Sequence, residues 1–150
     1  MTPLFKKLNL GEFKKILVLN SPATFESELA QLDGIKVLRR RPTQPTVKFA
    51  IGFAVTQSQL GEVSRKLTES TQGDAIVWVA YPKKSSRKYK SEINRDCGWK
   101  VLGDAGFEGV RQVAIDEDWS ALRFRRTEYI KSLTRNNAMA ISNAGKRRTQ

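Results

Sequence analysis

Five cations stand among the eight residues Lys83-Lys84-Ser85-Ser86-Arg87-Lys88-Tyr89-Lys90. Lysine supplies a mobile point charge, and the arginine fork matches the oxygens of a phosphate. Ser85 and Ser86 add hydroxyl donors. Tyr89 adds a ring that can stack on a base. A second cluster, Arg39-Arg40-Arg41, offers three more forks. The chemistry these residue types support is the recognition of an anion. The expected contacts are Arg39, Arg40, Arg41, Lys83, Lys84, Ser85, Ser86, Arg87 and Lys88. They suggest a class of ligand and no reaction.

The remaining reactive side chains point away from catalysis. The chain has no histidine, which removes the usual general base at neutral pH and the commonest metal ligand. Asp116, Glu117 and Asp118 share one turn, where neighbouring carboxylates splay apart. They read as a solubilising tip that pairs with nearby arginines. Cys97 reads as an inert thiol on the apolar face of a helix. Trp78, Trp99 and Trp119 read as packing. Arg123 and Arg125 fall on one face of the last strand and either extend the basic surface or pair with acids. No catalytic residue, metal or cofactor is expected.

The elements that must position the basic clusters alternate along the chain. Thr2 to Glu12 is an amphipathic lead-in. Ile16 to Leu19 is a compact apolar run and reads as a buried strand. Ser21 suits an N-cap and Pro22 a first helical position, with Phe25, Leu29 and Leu32 facing the core. Ile35 to Leu38 reads as a second strand, and Arg39 follows it directly. Val47 to Val55 reads as a third strand. Thr56 or Ser58 caps a helix carrying Leu60, Val63 and Leu67. Thr71 to Asp74 reads as a turn. Ile76 to Tyr81, apolar throughout, reads as a central strand buried on both faces and ended by Pro82. The basic run begins at the next residue. Ser91 then opens a third helix through Ile93, Cys97 and Val101, whose first amides add donors to the rim. Val110 to Ile115 and Ser120 to Arg126 read as a β-hairpin.

This order predicts an α/β, three-layer Rossmann-like sandwich. Its mostly parallel sheet of five or six strands ends in an antiparallel β-hairpin. The strands at Ile16, Ile35 and Ile76 are expected to be parallel and close together. The link from Arg39 to Thr46 has eight residues. It either spans roughly 27 Å, enough to return along the sheet without a helix, or joins antiparallel neighbours. Residues 1–128 form the domain, and residues 129–150 form a basic tail that is partly helical or disordered.

Several blocks carry a family resemblance. Trp78 to Ser86, Asn94-Arg95-Asp96, Val113-Ala114-Ile115 and Trp119 to Phe124 resemble the signature blocks of a family of small bacterial proteins without an assigned activity. The order of elements is similar to a shortened class I methyltransferase domain. That resemblance implies a ligand at the carboxyl ends of the strands. The family's glycine-rich turn is replaced by Leu19-Asn20-Ser21-Pro22-Ala23. Its acidic residue after the second strand is replaced by Arg39-Arg40-Arg41, and Ala54-Val55-Thr56-Gln57 follows the third strand. The resemblance therefore implies a degenerate methyltransferase-like domain that does not take S-adenosylmethionine.

The totals agree with a binding role. There are 27 Lys and Arg against 15 Asp and Glu, a net charge of +12 and a pI of about 10.1. Such an excess attracts polyanions. One cysteine, no apolar run of membrane-spanning length and no signal peptide suggest a cytoplasmic protein without membrane insertion. The expected function is a non-catalytic binding module for a phosphate-bearing or polyanionic partner, above all nucleic acid. Its site is a basic rim at the carboxyl edge of the sheet. A transferase-like enzyme with an altered nucleotide-cofactor site is the alternative.

Overall fold

A computed structural model describes residues 2–93 and 99–130. Its centre is a six-stranded sheet in the order β2-β1-β3-β4-β6-β5. The strands are β1 (Lys15–Leu19), β2 (Lys36–Leu38), β3 (Val47–Phe53), β4 (Thr71–Pro82), β5 (Phe107–Ala114) and β6 (Trp119–Arg126). β1 pairs in parallel with β2 and with β3, and β3 pairs in parallel with β4. β6 is antiparallel to β4 and to β5. The sandwich and the terminal hairpin are thus as expected. The three strands at Ile16, Ile35 and Ile76 are parallel, with β3 lying between β1 and β4.

Alternation along each strand divides the core in two. Leu17, Leu19, Val77, Val79 and Tyr81 face α3 (Gln57–Ser70) and α4 (Lys100–Asp104). Ile16, Val18, Trp78 and Ala80 face α1 (Pro3–Lys7) and α2 (Ala23–Leu29). Gly52 on β3 permits close approach of α3. A Cβ there would lie 2.3 Å from Val63 Cγ1.

Thr56 caps α3 in full. Its hydroxyl accepts from Gln59 N, and the Gln59 side chain accepts from Thr56 N. Ser21 does not cap α2. The N-cap position is Pro22, and the Ser21 hydroxyl donates to Glu26. Asn20 takes the left-handed conformation, with φ 58°, where a glycine would otherwise serve. Its amide donates to Phe53 O at 3.4 Å.

Two further expectations change. Thr71 to Asp74 belongs to β4. Between the pairs Val47–Thr71 and Phe49–Ile76, β4 advances five residues and β3 two. The excess bulges out through Gly73, whose φ is 66°, and presents Asp74. The third helix does not begin at Ser91. There the Ser91 hydroxyl bonds the backbone of Ile93, and α4 spans Lys100–Asp104. Cys97 and the tail beyond Ile130 lie outside the described residues.

Candidate anion-binding edge

Pro82 ends β4, and the chain turns back on itself at the carboxyl edge. Ser86 organises this turn. Its amide donates to Lys83 O at 3.0 Å, and its hydroxyl donates to Asp118 Oδ1 at 2.8 Å. The same hydroxyl accepts from the amides of Lys88 and Tyr89, each at 3.2 Å. Lys83 N donates to Asp118 O at 2.8 Å. The Tyr89 ring packs on Trp119 with centroids 5.0 Å apart, and Lys88 Nζ lies 5.6 Å from the same ring. Tyr89 is therefore an anchor of the loop, not a ring held out for a base.

The far end of the segment is tied to α3. Glu92 N donates to Val55 O at 3.1 Å. Gln57 donates from its amide to Glu92 Oε1 and from its side chain to Glu92 O, both at 2.9 Å. Between these anchors lies an open cleft of about 880 Å³. Lys83, Lys84, Ser85 and Lys90 line its sides. Its floor includes Tyr81, Gln112 and Ser120. Gln112 Nε2 donates to the Tyr81 hydroxyl at 2.8 Å and to Ser120 Oγ at 3.4 Å. A neighbouring depression holds Ser85, Arg87 and Lys88 beside Glu117 and Asp118.

Ion pairing sorts the basic residues, and the loop cations are not alone in lacking it: Lys6, Lys36, Arg111 and Arg123 also form no ion pair among the described residues. Arg39, Arg41, Arg65, Lys66, Lys100 and Arg125 each form an ion pair. Among the described residues, Lys83, Lys84, Arg87, Lys88 and Lys90 form none. Arg40 is exposed and likewise carries no ion pair there. Charge left unneutralised around a concave surface is available to an anion from solution.

The arginine cluster is dispersed. Arg39 leaves β2 at the same edge as the loop. Its fork grips Glu26 at 2.6 and 2.9 Å. That bond, aided by the Ser21 hydroxyl, holds the Glu26 carboxyl below its ordinary range. Arg41 lies on the chain's return path and pairs with Glu69 at 3.1 Å. Glu69 is in the last turn of α3, which leads into the start of β4, so Arg41 sits at the amino edge. The single surface expected of the two clusters is therefore not formed. A helix-free return link carries the chain from one edge to the other.

The acidic turn also differs from expectation. Asp116 Oδ1 accepts from the amides of Asp118 and Trp119 at 2.8 and 2.9 Å. Asp116 Oδ2 accepts from Thr24 Oγ1 at 3.1 Å. Asp116 and Asp118 thus bond turn amides and hydroxyls, and among the described residues none of the three carboxylates forms an ion pair with an arginine. Among the described residues, no group of His, Cys, Asp and Glu is placed to hold a metal ion.

No family model matches the chain by sequence, and no curated protein does. By structure it is similar to a SAM-dependent methyltransferase from Aquifex aeolicus. The TM-score is 0.59 at 14% identity, over 83% of this chain and 88% of that one. It is also similar to a putative type 11 methyltransferase from Sulfolobus solfataricus, with TM-score 0.51 at 12% identity, over 83% and 89%. A protein of the NADB-Rossmann superfamily from Streptococcus agalactiae gives 0.50 at 10% identity, over 84% and 68%. The chain has the Rossmann-like fold of methyltransferases. At these identities the likeness shows the fold and not the chemistry.

The residues at the cofactor end of that fold do not fit S-adenosylmethionine. A ribose diol needs an acceptor after the second strand. Arg39 stands there, carries donors alone, and is held by Glu26. Asn20-Ser21-Pro22 supplies a turn in which the Ser21 hydroxyl is committed to Glu26.

Proposed function

We propose that this domain is a non-catalytic binding module for a phosphate-bearing polyanion, and that the partner is nucleic acid. The observation that carries this reading is the run Lys83 to Lys90. Its five cations lack ion pairs among the described residues; Lys83, Lys84 and Lys90 border an open cleft, and Arg87 and Lys88 line the depression beside it. Anchoring by Asp118, Val55 and Gln57 presents those charges in an ordered loop, which lowers the entropy lost on binding. The net charge of +12 adds long-range attraction of the same sign. Arg39 and Arg41 contribute less, because each already faces a carboxylate.

A titration of labelled oligonucleotides across a salt series tests this. Contact with four or five phosphates gives log K falling with log salt at a slope of roughly −3 to −4.5. Replacing Lys83, Lys84, Arg87 and Lys88 by alanine weakens binding and flattens the slope, with little change in stability because exposed charges contribute little to folding. Deleting residues 144–150 is the matched control. Equal binding by the loop variant and the parent, or an effect of the deletion alone, refutes the reading.

The transferase-like reading, with an altered nucleotide-cofactor site, draws on the likeness of fold. It expects stabilisation by one small nucleotide at high salt, where the module reading expects none.

A further inference from the structure

A second basic group lies on the opposite face of the sheet from the cleft. The cleft floor, Tyr81, Gln112 and Ser120, belongs to the side of α3 and α4. Arg123 belongs to the side of α1 and α2, paired in register with Trp78 on β4. On its other flank it is paired with Arg111 on β5. Two like charges directly opposite in an antiparallel pair have Cβ atoms about 5 Å apart and destabilise the sheet.

The pairing is produced by a β-bulge. The register runs Gly109–Phe124 and then Arg111–Arg123, so Val110 is the extra residue. Without it Val110 would oppose Arg123, and Arg111 would point to the other face. A bulge re-aims a side chain, and this one makes Arg111 and Arg123 register partners on one face of the sheet.

Among the described residues, neither Arg111 nor Arg123 forms an ion pair. Arg125, two residues along β6, is held by Asp74 through two bonds of 2.7 Å. Asp74 is thereby committed. Arg123 is half-buried, and its Nε is buried without a hydrogen-bond partner among the described residues. Burial, and after it the charge of Arg125, pull its guanidinium below the ordinary arginine value; Asp74 pulls the other way, and Arg111 adds a smaller push downward. Arg111 itself is exposed.

We infer that Arg111 and Arg123, brought together by the bulge at Val110, form a second oxyanion site that takes a phosphate group. One phosphate between the two forks converts mutual repulsion into paired, charge-assisted hydrogen bonds. The Asp74–Arg125 pair braces the site from one side, and Trp78 closes it from the other. This site is independent of the loop and does not require that the loop binds nucleic acid.

The test is thermal melting of the full chain in chloride and in phosphate at one ionic strength, and with a short oligonucleotide. The parent melts a few degrees higher with the anion that the site takes. The larger shift, from inorganic phosphate or from oligonucleotide, identifies the source of the group. Arg111→Ala removes that increment, yet melts no lower than the parent in chloride, because the repulsion is relieved. The Arg123 Nε–H resonance shifts on phosphate titration in the parent and not in Arg111→Ala. The alanine variant of Lys83, Lys84, Arg87 and Lys88 keeps the phosphate increment. An equal increment in parent and Arg111→Ala, no increment in the parent, or its loss in the loop variant alone overturns the inference.

Discussion

Ser86 is a short side chain with four bonds around it. Its amide, its hydroxyl proton and its hydroxyl oxygen all act within one turn. Ser86→Ala leaves every cation in place while removing the hydroxyl's bonds to Asp118, Lys88 and Tyr89. The expected loss of stability is about 1.5–3 kcal/mol, the net worth of a hydrogen bond to a charged group. Oligonucleotide affinity falls several-fold with an unchanged salt slope, because the loop has lost order and not charge. Denaturant midpoints and fluorescence anisotropy measure the two effects; a flattened slope would contradict the argument. Asp74 makes a separate case. Its bond to Arg125 holds its carboxyl below the ordinary value. A group depressed in the folded state contributes stability above its unfolded value and loses it as pH falls. The contribution is therefore present at neutral pH and disappears from about pH 4 downward. Asp74→Asn should flatten the acid side of the stability profile and leave its alkaline side alone. A parallel acid limb in the variant would refute this.

Among the elements, α3 depends most visibly on one position. Gly52 lies beneath it, and a Cβ would meet Val63 Cγ1 at 2.3 Å. Gly52→Ala therefore forces α3 off β3 or Val63 out of its rotamer. Overpacking of this kind costs typically 1–3 kcal/mol. Val63→Ala makes room, so the double variant should recover part of the loss. Melting curves of the single and double variants decide it, and additive losses would sink the explanation. The hairpin and the central strand were legible because their patterns are local: β-branched runs, a polar turn, Pro82 as a stop. The bulges at Gly73 and Val110 were not. A bulge depends on register with a neighbouring strand, and one chain segment carries no record of its partner's phase. The helix expected from Ser91 failed for a related reason. The Ser91 hydroxyl bonds the Ile93 backbone two residues on, a local alternative to helix capping.

For the whole molecule, fold and ligand separate. The sheet order and the terminal hairpin match methyltransferase folds, while Arg39, Ser21 and Glu26 knit together the place where that cofactor would meet the strands. S-adenosylmethionine should accordingly show no micromolar affinity by calorimetry; a dissociation constant in that range would refute the reading of this edge. Composition by itself established an excess of positive charge, an apolar pattern of α/β type and the absence of histidine chemistry. Each of these is a sum or a short-range period, so no tertiary contact enters. Which cations remain available was decided elsewhere. Arg39 and Arg41 are adjacent to Arg40 in sequence, yet Glu26 and Glu69 claim them at opposite edges. Arg111 and Arg123 stand on the two strands of one hairpin and become register partners only through the bulge at Val110. Neutralisation is a pairwise property of distance, and distances between remote residues exist only once the sheet has closed.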